Sequence, residues 1–419
     1  MLATGLILLN AMTNAEPVSV ELRQTDAGWQ LFRNDQPYFI KGAGGSHSLE
    51  ALKAAGANSV RTWGGDVGEI LDAAHALDMT VTVGIWLEHE RHGFDYSNPE
   101  QVAEQLERAR AMVQQYKDHP AVLLWGVGNE TEGFDEADDP AVWKAINDVA
   151  AMIKDVDPHH PTMAVTVFTH GQRIKYLHQK SPAIDIHGIN AYGGAKVIPR
   201  LFRENGATKP FVLTEFGAVG PWEMPKTPWG VPFEQTSAEK AEFYRESYTS
   251  AIAAAPGVAL GAYAFMWGHK MEATETWFGM FLEDGSRTAA VDAMTEIWGG
   301  DAPANLAPSI DAPELDGSSE LRPGAHITAR TSASDPDGDD LAISWVLRPE
   351  PDEFETGGDF QATPPAVDGA ILESDSGSAR VRMPDRPGAY RLFVFAHDGA
   401  GNAATANLPL LVRADTNRD

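Results

Sequence analysis

The sequence predicts an α/β chain in which a closed (β/α)8 barrel is followed by a small all-β sandwich. Two observations predict this. Eight near-continuous apolar runs alternate with helical segments up to Gly300, and beyond Gly300 the chain turns to short alternating runs parted by Asp-, Gly- and Pro-rich turns. Parallel strands joined by helical crossovers are covered on both faces, so they read as unbroken apolar runs. A doubly wound open sheet is the rival. It would want a glycine-rich phosphate loop after an early strand, and Gly42-Ala43-Gly44-Gly45 lacks that spacing. The closed barrel is the better reading.

In chain order, residues 1–15 form a short apolar stretch ending in Thr13-Asn14-Ala15. It is expected to be a signal peptide, although the basic leading segment is missing, which implies a periplasmic or secreted bacterial protein. The other reading is a buried or frayed strand. Residues 16–300 are assigned to the barrel, opened by a hairpin over 17–40. Its strands are placed at 39–43, 58–63, 80–87, 121–129, 162–168, 184–190, 211–215 and 258–267. Val102, Leu106, Ala109, Val113 and Tyr116 mark a helix opened by Asn98 and Pro99. Asp139-Pro140 opens the next in the same way. Thr236-Ser237-Ala238-Glu239 has the form of a capping box. Residues 287–298 close the series.

Residues 301–314, with three prolines, read as a linker, and 315–415 as the sandwich, with strands at 326–329, 342–347, 379–383, 390–396 and 408–412. Its turns, at 334–340 and 398–402, resemble those of Ig-like domains of the polycystic-kidney-disease or cadherin type. Their aspartates offer hard oxygen ligands to calcium. An aspartate turn held by side-chain to backbone bonds is the preferred reading, and no metal is expected.

A net charge of −28 argues against nucleic acid and anionic membranes as partners, and no other segment is long and apolar enough to span a bilayer. The absence of cysteine excludes disulfides, thiolate metal sites and cysteine nucleophiles.

Chemistry enters at two strand ends. Trp125-Gly126-Val127-Gly128-Asn129-Glu130 and Val212-Leu213-Thr214-Glu215-Phe216-Gly217 are apolar runs that stop on a glutamate, 85 residues apart. A carboxylate at the C-terminal end of a barrel strand is badly placed for packing and well placed for catalysis. Two of them facing one pocket are the equipment of a retaining glycosidase, an acid and a nucleophile about 5–5.5 Å apart. Burial and the neighbouring negative charge would keep the acid protonated. The plainer alternative makes both glutamates ordinary residues of strand-to-helix loops.

Residues 36–300 resemble the clan A glycoside hydrolases, most closely the TIM-barrel domains of family 2, with families 5 and 72 as relatives. The resemblance is carried by Tyr116-Lys117-Asp118-His119-Pro120-Ala121-Val122 leading to Gly128-Asn129-Glu130, and by Thr214-Glu215-Phe216-Gly217. It implies that Glu130 is the acid/base, Glu215 the nucleophile, and Asn129 the partner of the sugar 2-hydroxyl. It further implies that Arg61 and Tyr192 contact the nucleophile and that Trp267 is the aromatic floor of the cleaved ring's subsite. The implied enzyme needs no cofactor. Its partner is a β-linked oligo- or polysaccharide of neutral hexoses, glucan first.

Full family 2 enzymes place sandwich domains before the barrel, and here only a hairpin precedes it. The pocket rim is therefore expected from the barrel's own loops. Loop 219–235 carries Trp222 and Trp229, and loop 272–281 carries Trp277. Such tryptophans either stack on sugar rings or clamp their loops down. Trp63, Trp86 and Trp125 divide in the same way, Trp125 towards core. In Glu88-His89-Glu90-Arg91-His92 the histidines are three apart, outside the zinc-helix pattern. A substrate-contacting role for His89 or His92 is favoured there; His170, His187 and His269 are further candidates near the site.

Two other readings stand beside the hydrolase. A transglycosylase would use the same glutamates and a sugar hydroxyl in place of water. A non-catalytic carbohydrate-binding protein would keep the pocket, with the sandwich as a spacer, packing partner or binding module.

Overall fold

The computed structural model describes residues 18–45, 47–134, 137–168 and 172–414. The expected signal segment, and His170, lie outside them. Three short antiparallel strands come first: β1 (Val20–Thr25), β2 (Gly28–Arg33) and β3 (Gln36–Tyr38). The third is additional to the expected hairpin.

Eight parallel strands then close into a barrel: β4 (Ile40–Gly44), β5 (Ser59–Arg61), β6 (Thr80–Ile85), β7 (Val122–Asn129), β8 (Thr162–Thr166), β9 (Ile186–Asn190), β10 (Phe211–Phe216) and β11 (Ala259–Ala264). Around it run α1 (Leu49–Ala54), α2 (Gly68–Ala76), α3 (Pro99–Tyr116), α4 (Pro140–Val156), α5 (Arg173–Lys180), α6 (Ile198–Glu204), α7 (Ser237–Tyr248) and α8 (Ala289–Trp298). Local chemistry sets the helix starts. Asn98 Oδ1 accepts from the Glu100 and Gln101 amides, Asp139 caps α4, and Thr236 and Glu239 form a reciprocal capping box. Buried Val142, Trp143, Ile146, Val149 and Ile153 repeat at helical spacing and turn one face of α4 to the core.

The N-terminal strands close one end of the barrel. Val20 and Leu31 share a core with Ile40, Leu123, Met163, Ile186, Val212 and Leu260, all near the starts of their strands. The opposite end, where β7 and β10 finish, is left for the site.

Short strands build the second domain: β12 (Ser309–Ile310), β13 (Glu314–Leu315), β14 (Glu320–Leu321), β15 (His326–Arg330), β16 (Ala333–Ser334), β17 (Ala342–Pro349), β18 (Ile371–Ser374), β19 (Ser378–Arg382), β20 (Gly388–His397) and β21 (Ala403–Val412). Two four-stranded sheets, β13-β15-β19-β18 and β14-β21-β20-β17, are mostly antiparallel and share a core that includes Trp345, Leu347, Val381, Leu392, Val394 and Leu410. The five expected strands are there; β18 and the two-residue strands are additional. Asp335, Asp339 and Asp398 have carboxylate oxygens within 4.8 Å of one another. Asp335 Oδ1 accepts from the Asp337 and Asp339 amides, and Asp398 Oδ1 from those of Ala400 and Asn402. These are the expected side-chain to backbone turns. No described helix is long and apolar enough to cross a membrane.

The domains meet through buried polar groups. Arg391 on β20 donates to Glu350, to Asn407 on β21 and to the Pro232 carbonyl of the barrel, while Asn407 donates to Glu234 of the barrel. Lys240 on α7 pairs with Glu234 as well.

Candidate active site

Both strand-ending glutamates follow a break in ladder register. The β7–β8 pairing shifts between Val127 and Asn129, and the β10–β9 pairing between Leu213 and Glu215. A bulge bends its strand and re-aims the side chains beyond it. Glu130 then leaves the strand at φ +53°, a left-handed conformation uncommon for any residue but glycine, while its amide donates to Val165 O at 2.9 Å. Gly128 is also left-handed, at φ +70°, and a Cβ there would stand 2.3 Å from Thr131 Oγ1. Both glutamates line one cavity of about 810 Å³ at the C-terminal end of the barrel.

Three donors converge on Glu215, which is 6 % exposed. Arg61, the last residue of β5, donates from Nη1 to Oε1 at 2.9 Å. Trp63 Nε1 donates to the same oxygen at 2.8 Å, and Tyr192 OH to Oε2 at 2.8 Å. Gly44 makes room for Trp63, since a Cβ there would lie 2.7 Å from its ring. These bonds stabilise a negative charge on Glu215. Burial, and then the Glu215 charge, push the Tyr192 hydroxyl well above its usual value, so it stays a donor.

Glu130 sits in the opposite electrostatic setting. Burial first, then the charge of Glu215, raise its carboxyl to about 8. Asn190 Nδ2 donates to Glu130 Oε1 at 2.8 Å and to Asn129 Oδ1 at 3.1 Å. Arg61 Nη2 donates to that Asn129 oxygen at 2.6 Å. With its oxygen taken twice, Asn129 keeps its amide hydrogens for a ligand. Glu132, two residues on, is fully buried; Oε1 accepts from the Val167 amide and from Arg173 Nε at 3.2 Å. Burial raises it to about 7 against the pull of Arg173.

Of the expected site residues, Arg61, Asn129, Glu130, Tyr192, Glu215 and Trp222 come together here. Trp267 does not. β11 ends at Ala264, Trp267 is completely buried against Phe281 and Trp298 with Nε1 donating to Ser48 O, and Phe265 lines the cavity in its place. His89 is 4 % exposed and stacks on Trp86, which does line the cavity. Burial, with Arg91 and His92 nearby, lowers it to about 4, and it lies outside the cavity lining as a neutral ring. Trp229 is also outside the lining. Trp277, 1 % exposed, bonds Val219 O and clamps its loop; Trp125 is core.

Sequence reasoning passed over Asn190, and weighed Trp63 only as a sugar-stacking or loop-clamping ring, not as a donor to Glu215. Asn190 carries the signal that marked the glutamates, a polar residue ending an apolar strand. Trp63 stands two residues beyond Arg61. The rim corrects a further expectation: it is not built by barrel loops alone, because Glu355, Gly357, Gly358 and Asp359 of the second domain line the same cavity.

A family model described as "Glycosyl hydrolases family 2, TIM barrel domain" matches residues 70–249. No curated protein matches the sequence. Among solved structures, a β-glucuronidase of an uncultured Clostridium sp. is similar at 20 % identity and TM-score 0.51, over 67 % of this chain and 53 % of that one. A Ruminococcus gnavus β-glucuronidase is similar at 18 % identity and TM-score 0.52, over 67 % and 52 %. A β-galacturonidase from Eisenbergiella tayi is similar at 19 % identity and TM-score 0.51, over 67 % and 54 %. The chain thus spans about half the length of these structures. The barrel has the fold of family 2 glycosidases, and the match supports a glycoside hydrolase. The glucan expectation finds no support in these neighbours, which are named for uronides.

Proposed function

We propose that the chain is a retaining β-glycosidase, with Glu130 as acid/base and Glu215 as nucleophile. The observation that carries this reading is the opposed setting of two glutamates on one cavity, one raised to about 8 and the other bound by three donors. In the first step the Glu130 proton passes to the glycosidic oxygen as the Glu215 carboxylate attacks the anomeric carbon. The bond to the leaving sugar breaks, and a glycosyl ester forms on Glu215. In the second, the Glu130 carboxylate takes a proton from water, the oxygen attacks the same carbon, and Glu215 is released. Asn129 donates to the sugar 2-hydroxyl, a bond that strengthens as charge grows on the ring. A sugar hydroxyl in place of water would make the same site a transglycosylase.

The second domain is read as an Ig-like sandwich, and an exported location rests on residues 1–15. The fold likeness to uronidases does not extend to their substrates at this level of identity.

A panel of β-linked gluco-, manno- and galacto-oligosaccharides and aryl β-glycosides, uronides included, tests the reading. The expected result is a product of retained anomeric configuration by NMR, lost in Glu215→Gln. Inverted product, or turnover surviving in Glu215→Gln, would overturn it.

A further inference from the structure

Between β17 and β18 the second domain carries an irregular segment over residues 350–370. It does not stay with its own sheets. Phe354 packs against the cluster at the barrel mouth that holds Tyr192, Phe265 and Phe278. Glu355 pairs with Lys226 at 3.2 Å, in the loop after β10, and Gln361 Oε1 accepts from the Ala273 amide, in the loop after β11. On the other side, Arg91 in the loop after β6 donates from Nη2 to Gly357 O at 3.0 Å and Asp359 Oδ1 at 3.1 Å. His92 Nε2 lies 3.0 Å from Asp359 Oδ2. Gly357 passes close to the loop after β7, where a Cβ would stand 3.0 Å from the Phe134 ring and 2.8 Å from Arg91 Nη1. In the closed barrel β10 stands four strands from β6, and β11 four strands from β7. The segment therefore crosses the mouth from one side to the opposite one, over the cavity that holds Glu130 and Glu215.

Charge tells what such a wall would take. Glu355, Asp359 and Glu223 put carboxylates on the cavity, and each accepts hydrogen bonds. The nearby cations are engaged: Arg61 with Glu215, Arg91 with Asp359, Lys226 with Glu355, and Lys270 with Glu272 at 2.6 Å. A sugar carboxylate would meet this acidic wall at the cost of repulsion. Sugar hydroxyls would donate to it, and ring faces would stack on exposed Trp222 and Phe134.

We propose that residues 355–359 of the second domain form a wall of the substrate site, tied across the mouth by Arg91 and His92, and bind an uncharged sugar ring beyond the one that is cleaved. This rests on the proposed glycosidase reading. Arg91 and His92 act as positioning residues that hold the wall.

The test compares wild type with Arg91→Ala and the conservative Glu355→Gln, each confirmed as folded by its melting temperature. Steady-state kinetics are run on single-ring aryl β-glycosides, neutral β-linked trisaccharides, and the same trisaccharides with a uronic acid beyond the cleaved ring. Each variant is expected to raise KM for the trisaccharide roughly tenfold more than for the matching aryl glycoside, the worth of about one good contact. The trisaccharide with a uronic acid beyond the cleaved ring is expected to be the poorer trisaccharide substrate. Equal changes in both substrate lengths, no change in either, or preference for the uronic acid trisaccharide would overturn the proposal. Should wild type turn over nothing, the catalytic reading fails on its own, and titration of tryptophan fluorescence with the trisaccharides decides the wall. Binding weakened about tenfold in both variants supports it, and unchanged or absent binding overturns it.

Discussion

Arg61 and Glu215 form an ion pair at 2.9 Å with side chains only 2 % and 8 % exposed. The guanidinium also reaches Asn129 Oδ1 and Thr214 O, so one planar fork joins β5, β7 and β10. Arg61→Ala leaves a buried carboxylate without its cation, an expected loss of about 3–5 kcal/mol in stability. Arg61→Lys keeps the charge but cannot bridge both partners. It is expected to lower kcat/KM by about 100-fold or more with a smaller shift in the urea midpoint. A lysine variant of full activity would show that charge alone suffices.

Activity should carry the imprint of Glu130. The first step needs its proton, and the carboxyl is raised to about 8. With an unactivated leaving group, kcat/KM is expected to hold below that value and fall about tenfold per pH unit above it. In Glu130→Gln the alkaline limb should vanish, and an aryl leaving group that departs without a proton should keep measurable turnover. An unchanged limb in that variant would assign it to another group.

Stability should run the same way with pH. Glu130 and Glu132 are raised from 4.5 to about 8 and about 7, with burial the leading cause for both. A carboxyl raised on folding holds a proton that the unfolded chain releases. Its contribution is full below the unfolded value and is lost as pH rises through the folded one, at up to about 1.4 kcal/mol per pH unit for each group. Urea unfolding is expected to show lower stability at pH 8 than at pH 5, with a shallower slope in Glu130→Gln. Stability that rises over this range would contradict the burial of these groups.

Trp222 and Trp267 make a contrast. Trp222 is 44 % exposed and lines the cavity, whereas Trp267 is 0 % exposed and lies outside its lining. Trp222→Ala is expected to raise KM roughly tenfold with little change in melting temperature. Trp267→Ala is expected to lose about 3–5 kcal/mol in stability by opening a core cavity. Reversed effects would restore Trp267 to the floor of the site.

What was legible in the sequence divides along physical lines. α3, α4 and α7 could be placed because their starts are local chemistry: Asn98, Asp139 and the Thr236–Glu239 pair bond backbone amides within a few residues. Glu130 and Glu215 stood out because charge is costly at the end of an apolar run. Trp267 went astray because the apolar run continues past Ala264, while the strand pairing stops there. The wall at 355–359 left no sequence signal. Its partners Arg91, His92 and Lys226 are distant in the chain, and an irregular loop has no period to read.

The buried network at the domain boundary carries the last prediction. Arg391 is 1 % exposed; it bonds Glu350 at 2.9 Å and Asn407 at 2.7 Å within its own domain, and Pro232 O at 2.8 Å across the boundary. Glu234 of the barrel lies 3.9 Å from it and accepts from Lys240, Thr274, Thr276 and Asn407. Burial opposes the Glu234 charge, yet Lys240 and Arg391 hold its carboxyl below the usual value. Arg391→Ala strands Glu350 without its cation and takes one from Glu234, an expected loss of about 3–5 kcal/mol. Since the network belongs to both domains, wild type is expected to melt in one transition, with far-ultraviolet dichroism and tryptophan fluorescence coincident. Most tryptophans report on the barrel, and Trp345 alone on the second domain's core. Two separated transitions in wild type would show that the domains unfold independently, and that the buried charges between them contribute little to cooperativity.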